Sequence, residues 1–484
     1  MSLICGKDGS TTSEVFARIN KGDIKDTMTD LLSVDTSVTF SVNVKGYHAE
    51  NDGGGGLFNY DSTIDKSTAN GGTIIDPGQT LANQGNGVGL GCWVRQYSGA
   101  VNVLWFGAYN NNNIPLVDIT TTAIQKVFDI ANEIFIPAGI YIVNGLTIGK
   151  TVSIIGENTN TMIGASTEGG TQLRLFEGTS STYLLHYNID VESGILKNIE
   201  LNGNSYAVGQ TTITDGILLP DATSITETNL RITNVIVKYF TGNGIKAGLK
   251  RGSGKVKSST FWKCDDTAVY LNSPDWLIQG CSVGDSDTGI FMSNWTEKII
   301  GNDIWGCRVG IKMDSSSCRY ITIANNVLDT LAEQSISSDS TSLIESLSII
   351  GNVFRTLQTA TVPCIQIEMQ ESTIIGNVFA DPYDDSAPLT TYSIYMASDT
   401  RNNVFGNSFG ASANTVGNAS IGGTDASNKI TTRAMFTDRV GFYGNAPAAQ
   451  PTVYGSRGTE TALVLERLLT GLSSLGLIID STTA

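Results

Sequence analysis

The chain has 484 residues, 40% of them hydrophobic and only 16% charged, with 53 glycines and a formal net charge of −16. Acidity on that scale argues against a nucleic-acid binder, whose affinity rests on neutralising phosphates, and is read first as solubility. Abundant Gly, Asn, Ser and Thr argue against a helical protein and for many short strands joined by tight turns, since Gly and Asn accept the positive φ such turns need.

Taken in chain order, residues 1–41 read as a partly helical connector (TSEVFARINKGDIKDTMTDLLS). Residues 42–100 are Gly-rich, with GYHAENDGGGGLFNYD and NGGTIIDPG, and read as a small β domain. From Val101 the character changes: VLWFGAYNNNN precedes TTTAIQKVFDIAN, a short amphipathic helix, and then EIFIPAGIYIV, a strand–turn–strand. Cys5, Cys92, Cys264, Cys281, Cys307, Cys318 and Cys364 are odd in number, form no CxxC pair, and read as buried thiols of a reducing compartment. His48 and His186 alone cannot build a His-rich metal site, so no metal and no cofactor is expected. No leader is evident and no apolar run reaches about 18 residues, so neither secretion nor a membrane span is expected.

The middle of the chain repeats. KVKSSTFWKCDDTAVYLN, WLIQGCSVGDSDTGIFMSN and EKIIGNDIWGCRVGIKMDS align at steps of 21 residues, matching Thr267 with Thr288 and Val309, and Val269 with Ile290 and Ile311. IIGNVF then occurs twice, 25 residues apart. Runs such as TAVYL and VGIKM alternate at period two, so each repeat is strand and turn, one coil of a parallel β-helix spanning residues 101–432. Gly-Asn turns a corner, and Asn302, Asn325, Asn352, Asn377 and Asn407 are expected to stack as a ladder of amides. Residues 433–484 end in Leu465, Leu468, Leu472, Leu475 and Ile479, a two-heptad seam read as one part of a trimer clamp or as a cap on the last coil.

The order WFGA, AIQKVFD, IFIPAGIYIV resembles the opening of pectate-lyase-like right-handed β-helices in phage tailspikes, and the GGGGLFNYD segment resembles the domain that commonly precedes that helix. Trp105 and Asn110–Asn113 depart from the family pattern, which usually has an acidic or polar residue and an Asp-rich turn there. The resemblance implies an all-β chain: a single-stranded right-handed parallel β-helix with a small N-terminal β domain and a C-terminal trimerisation segment. It further implies a homotrimer on the virion tail, made in the host cytoplasm without a signal peptide. Such a spike joins the phage baseplate or another tailspike through its N-terminus. It binds and often cleaves a bacterial surface polysaccharide, O-antigen or capsule.

Trp262, Trp276, Trp295 and Trp305 fall in one window with Asp265, Asp266, Asp275, Asp285, Asp287, Asp303 and Glu297. Aromatic faces and carboxylates hold sugars, and glycosidic cleavage needs two carboxyl groups flanking one bond. With Val269 and Leu271 inward, Asp266, Ala268 and Tyr270 are expected outward, and Asp287, Gly289 and Phe291 one coil on, with Arg308 beyond. Asp266 and Asp287 are therefore the expected carboxyl pair of an endo-glycosidase, with Asp285 as substitute. Stacked about 4.8 Å apart, they are expected to split into an acid and a base, or an acid and a nucleophile. A bare strip of Ala268, Gly289 and Gly310 would seat the sugar, with Tyr270, Phe291, Trp295, Trp305 and Arg308 as substrate contacts. Each Asp is equally read as a polar turn residue. The basic run Lys246, Lys250, Arg251, Lys255, Lys257 and Lys263 is either a contact for an anionic glycan or a solvated loop. A polysaccharide lyase and a non-enzymatic receptor-binding spike are the alternatives.

Overall fold

A computed structural model describes residues 23–409 except 113, 160–168, 189–190, 207–210, 223–228, 250–251, 315–317, 339–343, 356–361, 381–393 and 397–400. Beyond 409 it describes only the backbone of four short strands, so the leucine seam near the C-terminus lies outside the described residues. The described residues begin with a small sheet in the order β1-β2-β3-β5-β4, where β1 is Asp23–Lys25, β2 Ser41–Val44, β3 Gly56–Asp65, β4 Ile74–Ile75 and β5 Leu90–Arg95. This sheet reaches back into the expected connector: β1 pairs in parallel with β2. A short helix, α1 (Met28–Leu31), capped by a Thr27–Asp30 capping box, buries Met28 and Leu31 against it.

Arg95 ties the loops of the small domain together and touches the first turn of the β-helix at the Trp105 ring. Its guanidinium donates to the carbonyls of Gly72 (2.9 Å), Gly55 (2.6 Å) and Gly54 (2.9 Å) and lies over the rings of Phe58 and Trp105. Trp105 thus has a docking role at the position where it departs from the family pattern. Helix α2 (Val117–Ile130) follows, burying Ala123, Ile124, Val127 and Phe128 over the open end of the coils.

Each full coil carries three strands. In one coil these are Trp276–Gln279, Ser282–Gly284 and Thr288–Met292; in the next, Lys298–Ile300, Asp303–Trp305 and Val309–Met313. Like strands stack in parallel, giving three faces, called here the first, second and third. The third-face register is the one read from the sequence: Val269 pairs with Ile290 and Ile290 with Ile311. Interior columns of Ile, Val, Leu, Met and Phe fill one continuous core.

Between first and second faces the backbone turns through one left-handed residue. Gly301, Asn325, Gly351, Gly376 and Gly406 all have φ between 55° and 66° there. The next residue points inward, so the ladder runs through Asn302, Asn326, Asn352, Asn377 and Asn407, all buried. Each side-chain oxygen from Asn326 to Asn407 accepts from the backbone N–H and the amide of the Asn one coil back. This corrects the expected rung at Asn325. In ANNVL the first Asn takes the corner that other coils give to Gly, which Asn tolerates, and the second is the rung.

Candidate functional site

The third-face strands do not alternate as expected. Thr267–Leu271, Thr288–Met292 and Val309–Met313 share one pattern in which only the fourth residue escapes burial. Ala268 is fully buried. A Cβ on Gly289 would meet the Gly310 carbonyl at 2.5 Å, and one on Gly310 the Ser335 carbonyl at 2.6 Å. The expected bare strip therefore faces the interior, where small residues let the coil close, and no sugar lies on it.

Tyr270 and Phe291 do face outward, stacked on one another at 4.6 Å and 6°. Their rings stand along the coil axis, so the facing surfaces are spent on each other. Asp266 and Asp287 stack at the corner before the third face: the Thr288 N–H donates to the Asp266 carbonyl and the Val309 N–H to that of Asp287. Arg308 comes next and takes both Asp287 oxygens, at 2.7 and 2.9 Å, while its other arm reaches Glu333 at 2.8 Å. The Arg308 hydrogen bonds hold the Asp287 carboxyl below its ordinary range. Asp287 is thus paired with an interleaved cation, Arg308, rather than with Asp266.

Asp285, two residues earlier, turns the other way and accepts from the Trp262 indole at 2.8 Å. Trp295 is half exposed at the corner between third and first faces. Trp276 is buried with its N–H on Ser273. Trp305 lies on the second face. The structure brings Asp266, Asp287 and Arg308 together and distributes Tyr270 and Phe291, Trp295 and Trp305 over separate surfaces.

The second face carries an arrangement not read from the sequence. Register pairs Asp303 with Val327 and Trp305 with Asp329. The Arg355 N–H donates to the Leu328 carbonyl, which places Arg355 beside Asp329 one coil on. Trp305 lies flat over Gly284, where a Cβ would come within 2.4 Å of its ring, and donates to Ser282 at 3.1 Å. Asp303, Trp305, Asp329 and Arg355 line an open groove of about 610 Å³. Asp329 is ion-paired to Arg355 at 3.3 Å. Partial burial, and then the charge of Asp329, push the Asp303 carboxyl above its ordinary value. On a parallel sheet this diagonal separates the two Cα atoms by about 8 Å. Toward the N-terminal coils the face continues through Trp262, Tyr239 and Tyr206, with Lys263 over the rings of Trp262 and Tyr206. The signal was available: extending the aligned phrase two residues past the strand start sets Trp305, Asp329 and Arg355 in one column.

A family model described as phage tail protein small four-stranded beta-sheet domain matches residues 25–98. A second, described as periplasmic copper-binding protein (NosD), matches residues 153–338 and 223–445, which together span more than half of the chain. The donor set does not fit copper: among the described residues no three His, Cys, Asp or Glu side chains converge, and Cys264, Cys281, Cys307, Cys318 and Cys364 sit separately in the core. No curated protein matches the sequence. Among solved structures, tailspike protein 2 from Escherichia coli O157:H7 bacteriophage CAB120 is similar at a TM-score of 0.62 and 17% identity, covering 82% of this chain and 54% of that one. The tailspike gp49 from Acinetobacter baumannii bacteriophage Fri1, a capsular polysaccharide depolymerase, gives 0.53 at 11% identity, covering 80% and 74%. The mannuronan C-5 epimerase AlgE4 A-module of Azotobacter vinelandii gives 0.52 at 16%, covering 68% and 100%. The chain spans about half the length of tailspike protein 2. By its coils the chain belongs to the NosD family, and it carries ahead of them the small β-sheet domain of phage tail proteins, on the parallel β-helix fold of phage tailspikes.

Proposed function

We propose that the chain is a phage tailspike that binds a bacterial surface polysaccharide and hydrolyses an internal glycosidic bond on its second face. The observation that carries this reading is the groove joining Trp305 to two unlike carboxyl groups, Asp303 and Asp329. Asp303 gives its proton to the leaving glycosidic oxygen. Asp329, held by Arg355, takes a proton from the water that attacks the anomeric carbon. The carbon–oxygen bond breaks, and a new reducing end and a new hydroxyl form. Inverting pairs hold their carboxyl groups about 6.5–9.5 Å apart, with a water between them, and a diagonal register with Cα atoms about 8 Å apart supports that reading over a directly stacked pair. Trp305 supplies the flat face against which a sugar packs, and Trp262 and Tyr239 extend it. Assembly as a homotrimer and attachment to the virion tail through the N-terminal part belong to the same proposal, supported by the phage-tail domain and the tailspike fold.

A second reading keeps the pair Asp266 and Asp287. It is favoured by their adjacency and by the low-lying carboxyl of Asp287, and opposed by Arg308, which occupies both Asp287 oxygens. Four variants decide between them: Asp303→Asn, Asp329→Asn, Asp266→Asn and Asp287→Asn, each incubated with purified surface polysaccharide. Release of oligosaccharide lost in the first two and kept in the last two supports the groove. The reverse result moves the reaction to the corner row. An unsaturated product from the unaltered chain identifies a lyase instead, and a glycan bound but never shortened identifies a receptor-binding spike.

A further inference from the structure

The first face has a charge opposite to that of the chain. Its outward rows are fixed by register: Ile195, Arg231, Lys255, Leu277 and Lys298 form one column, and Lys197, Thr233, Lys257 and Gln279 the next. Lys197, Arg231, Lys255, Lys257 and Lys298 are all exposed, and among the described residues none has a carboxylate within ion-pair distance. No acidic side chain stands in these columns between Ile195 and Lys298. The corner bordering the second face is uncharged as well, with Asn198, Asn234, Ser258 and Gly280 in succession. Five cations thus run along the coil axis over four steps of about 4.8 Å, roughly 19 Å in all. At the N-terminal end the row opens into a recess of about 580 Å³, lined by Lys150, Ser153, Asn229 and Arg231 together with one carboxylate, Glu133. In a chain of net charge −16 such a stripe attracts an extended polyanion that the remaining surface repels.

We propose that this face is a second, non-cleaving binding site for an extended glycan bearing anionic groups, separate from the Trp305 groove. It rests on the glycan reading above but not on the chemistry assigned there. The rows between Ile195 and Lys298 carry no aromatic side chain, which disfavours single-stranded nucleic acid, since that class binds by stacking its bases. The face is flat, so the glycan lies along it by charge pairing and hydroxyl contacts rather than in a closed pocket.

The test uses the full chain carrying Asp303→Asn and Asp329→Asn, so that no probe is consumed. Binding is measured by calorimetry against polyuronate oligosaccharides, dextran of matched length and single-stranded DNA of matched charge, across a salt series. The expected result is polyuronate binding that weakens at least tenfold in Arg231→Gln/Lys255→Gln/Lys257→Gln, with the log–log salt slope falling by about 2 units for the three lost contacts. Lys25→Gln/Lys45→Gln/Lys126→Gln, which removes as many cations elsewhere, leaves it unchanged. Equal binding by both triple variants, equal affinity for dextran, or tighter binding of the DNA overturns the proposal. Cleavage assays on the unaltered chain report separately on the groove, so either idea is able to fail alone.

Discussion

Asn325 and Asn326 are adjacent, identical in composition and opposite in role, and replacing each by Ala separates the roles. The Asn326 side chain takes part in four hydrogen bonds. Its oxygen accepts from the Asn302 backbone N–H and the Asn302 amide, both at 2.9 Å, and its own amide donates to the Ile299 carbonyl and the Asn352 oxygen, both at 2.9 Å. Ala at 326 leaves the Asn302 backbone N–H and one of the two Asn302 amide hydrogens buried and unpaired, the other amide hydrogen keeping the Ile278 carbonyl. Each costs about 1–3 kcal/mol, so the loss is about 3–4 kcal/mol once partial relaxation is allowed. Asn325 is exposed with φ +55°, and Ala there costs only the left-handed backbone strain of about 1 kcal/mol. Urea denaturation followed by tryptophan fluorescence, with amide exchange at Asn302 as the local probe, gives both numbers. Equal destabilisation by the two variants, or a loss below about 1 kcal/mol at Asn326, refutes the ladder as drawn.

Three further outcomes follow from buried or paired charges. Glu297 is fully buried with neither carboxyl oxygen hydrogen-bonded, and burial pushes it up to about 8. Its folded pKa exceeds the unfolded one, so the stability it permits is present below about pH 4.5 and is lost as pH rises to about 8. Glu297→Gln is therefore expected to flatten the fall in stability over that window, by roughly 3–5 kcal/mol at most, in denaturation runs at pH 5 and pH 8.5. Arg308→Gln is expected to cost no more than about 1 kcal/mol, because both partners of this bridge are more than a third exposed, while the Asp287 titration measured by NMR moves upward. Arg95→Met removes three hydrogen bonds to the Gly54, Gly55 and Gly72 carbonyls inside the small domain and is expected to cost that domain about 3 kcal/mol, so that in calorimetry the small sheet melts ahead of the coils.

Repetition made the fold legible. The 21-residue step put Thr267, Thr288 and Val309 in one row, and the structure pairs them so. Period-two alternation was a poorer guide at corners. Thr267 and Ala268 both turn inward because the strand begins on a bend, so the outward strip read at Ala268, Gly289 and Gly310 is interior. One repeated Asn in ANNVL shifted a ladder rung by a residue, because Asn serves both the left-handed corner and the buried rung. The acids were legible as a window of composition, but the face each one joins was not. Asp285 and Asp287 are two residues apart and point to different faces, since Ser286 between them turns inward at the corner. Asp329 and Arg355 lie outside the tryptophan-rich window, and only the coil register brings them beside Trp305.

Hydrolysis by Asp303 and Asp329 with a water between them, as proposed for the second face, is tested most directly by the stereochemistry of its product. Time-resolved proton NMR of purified surface polysaccharide, begun as the chain is added, follows the anomeric proton of the first reducing ends. The expected products are saturated fragments whose new anomeric centre first shows the configuration opposite to that of the cleaved bond. Retained configuration, or vinylic signals of an unsaturated sugar, contradicts this mechanism.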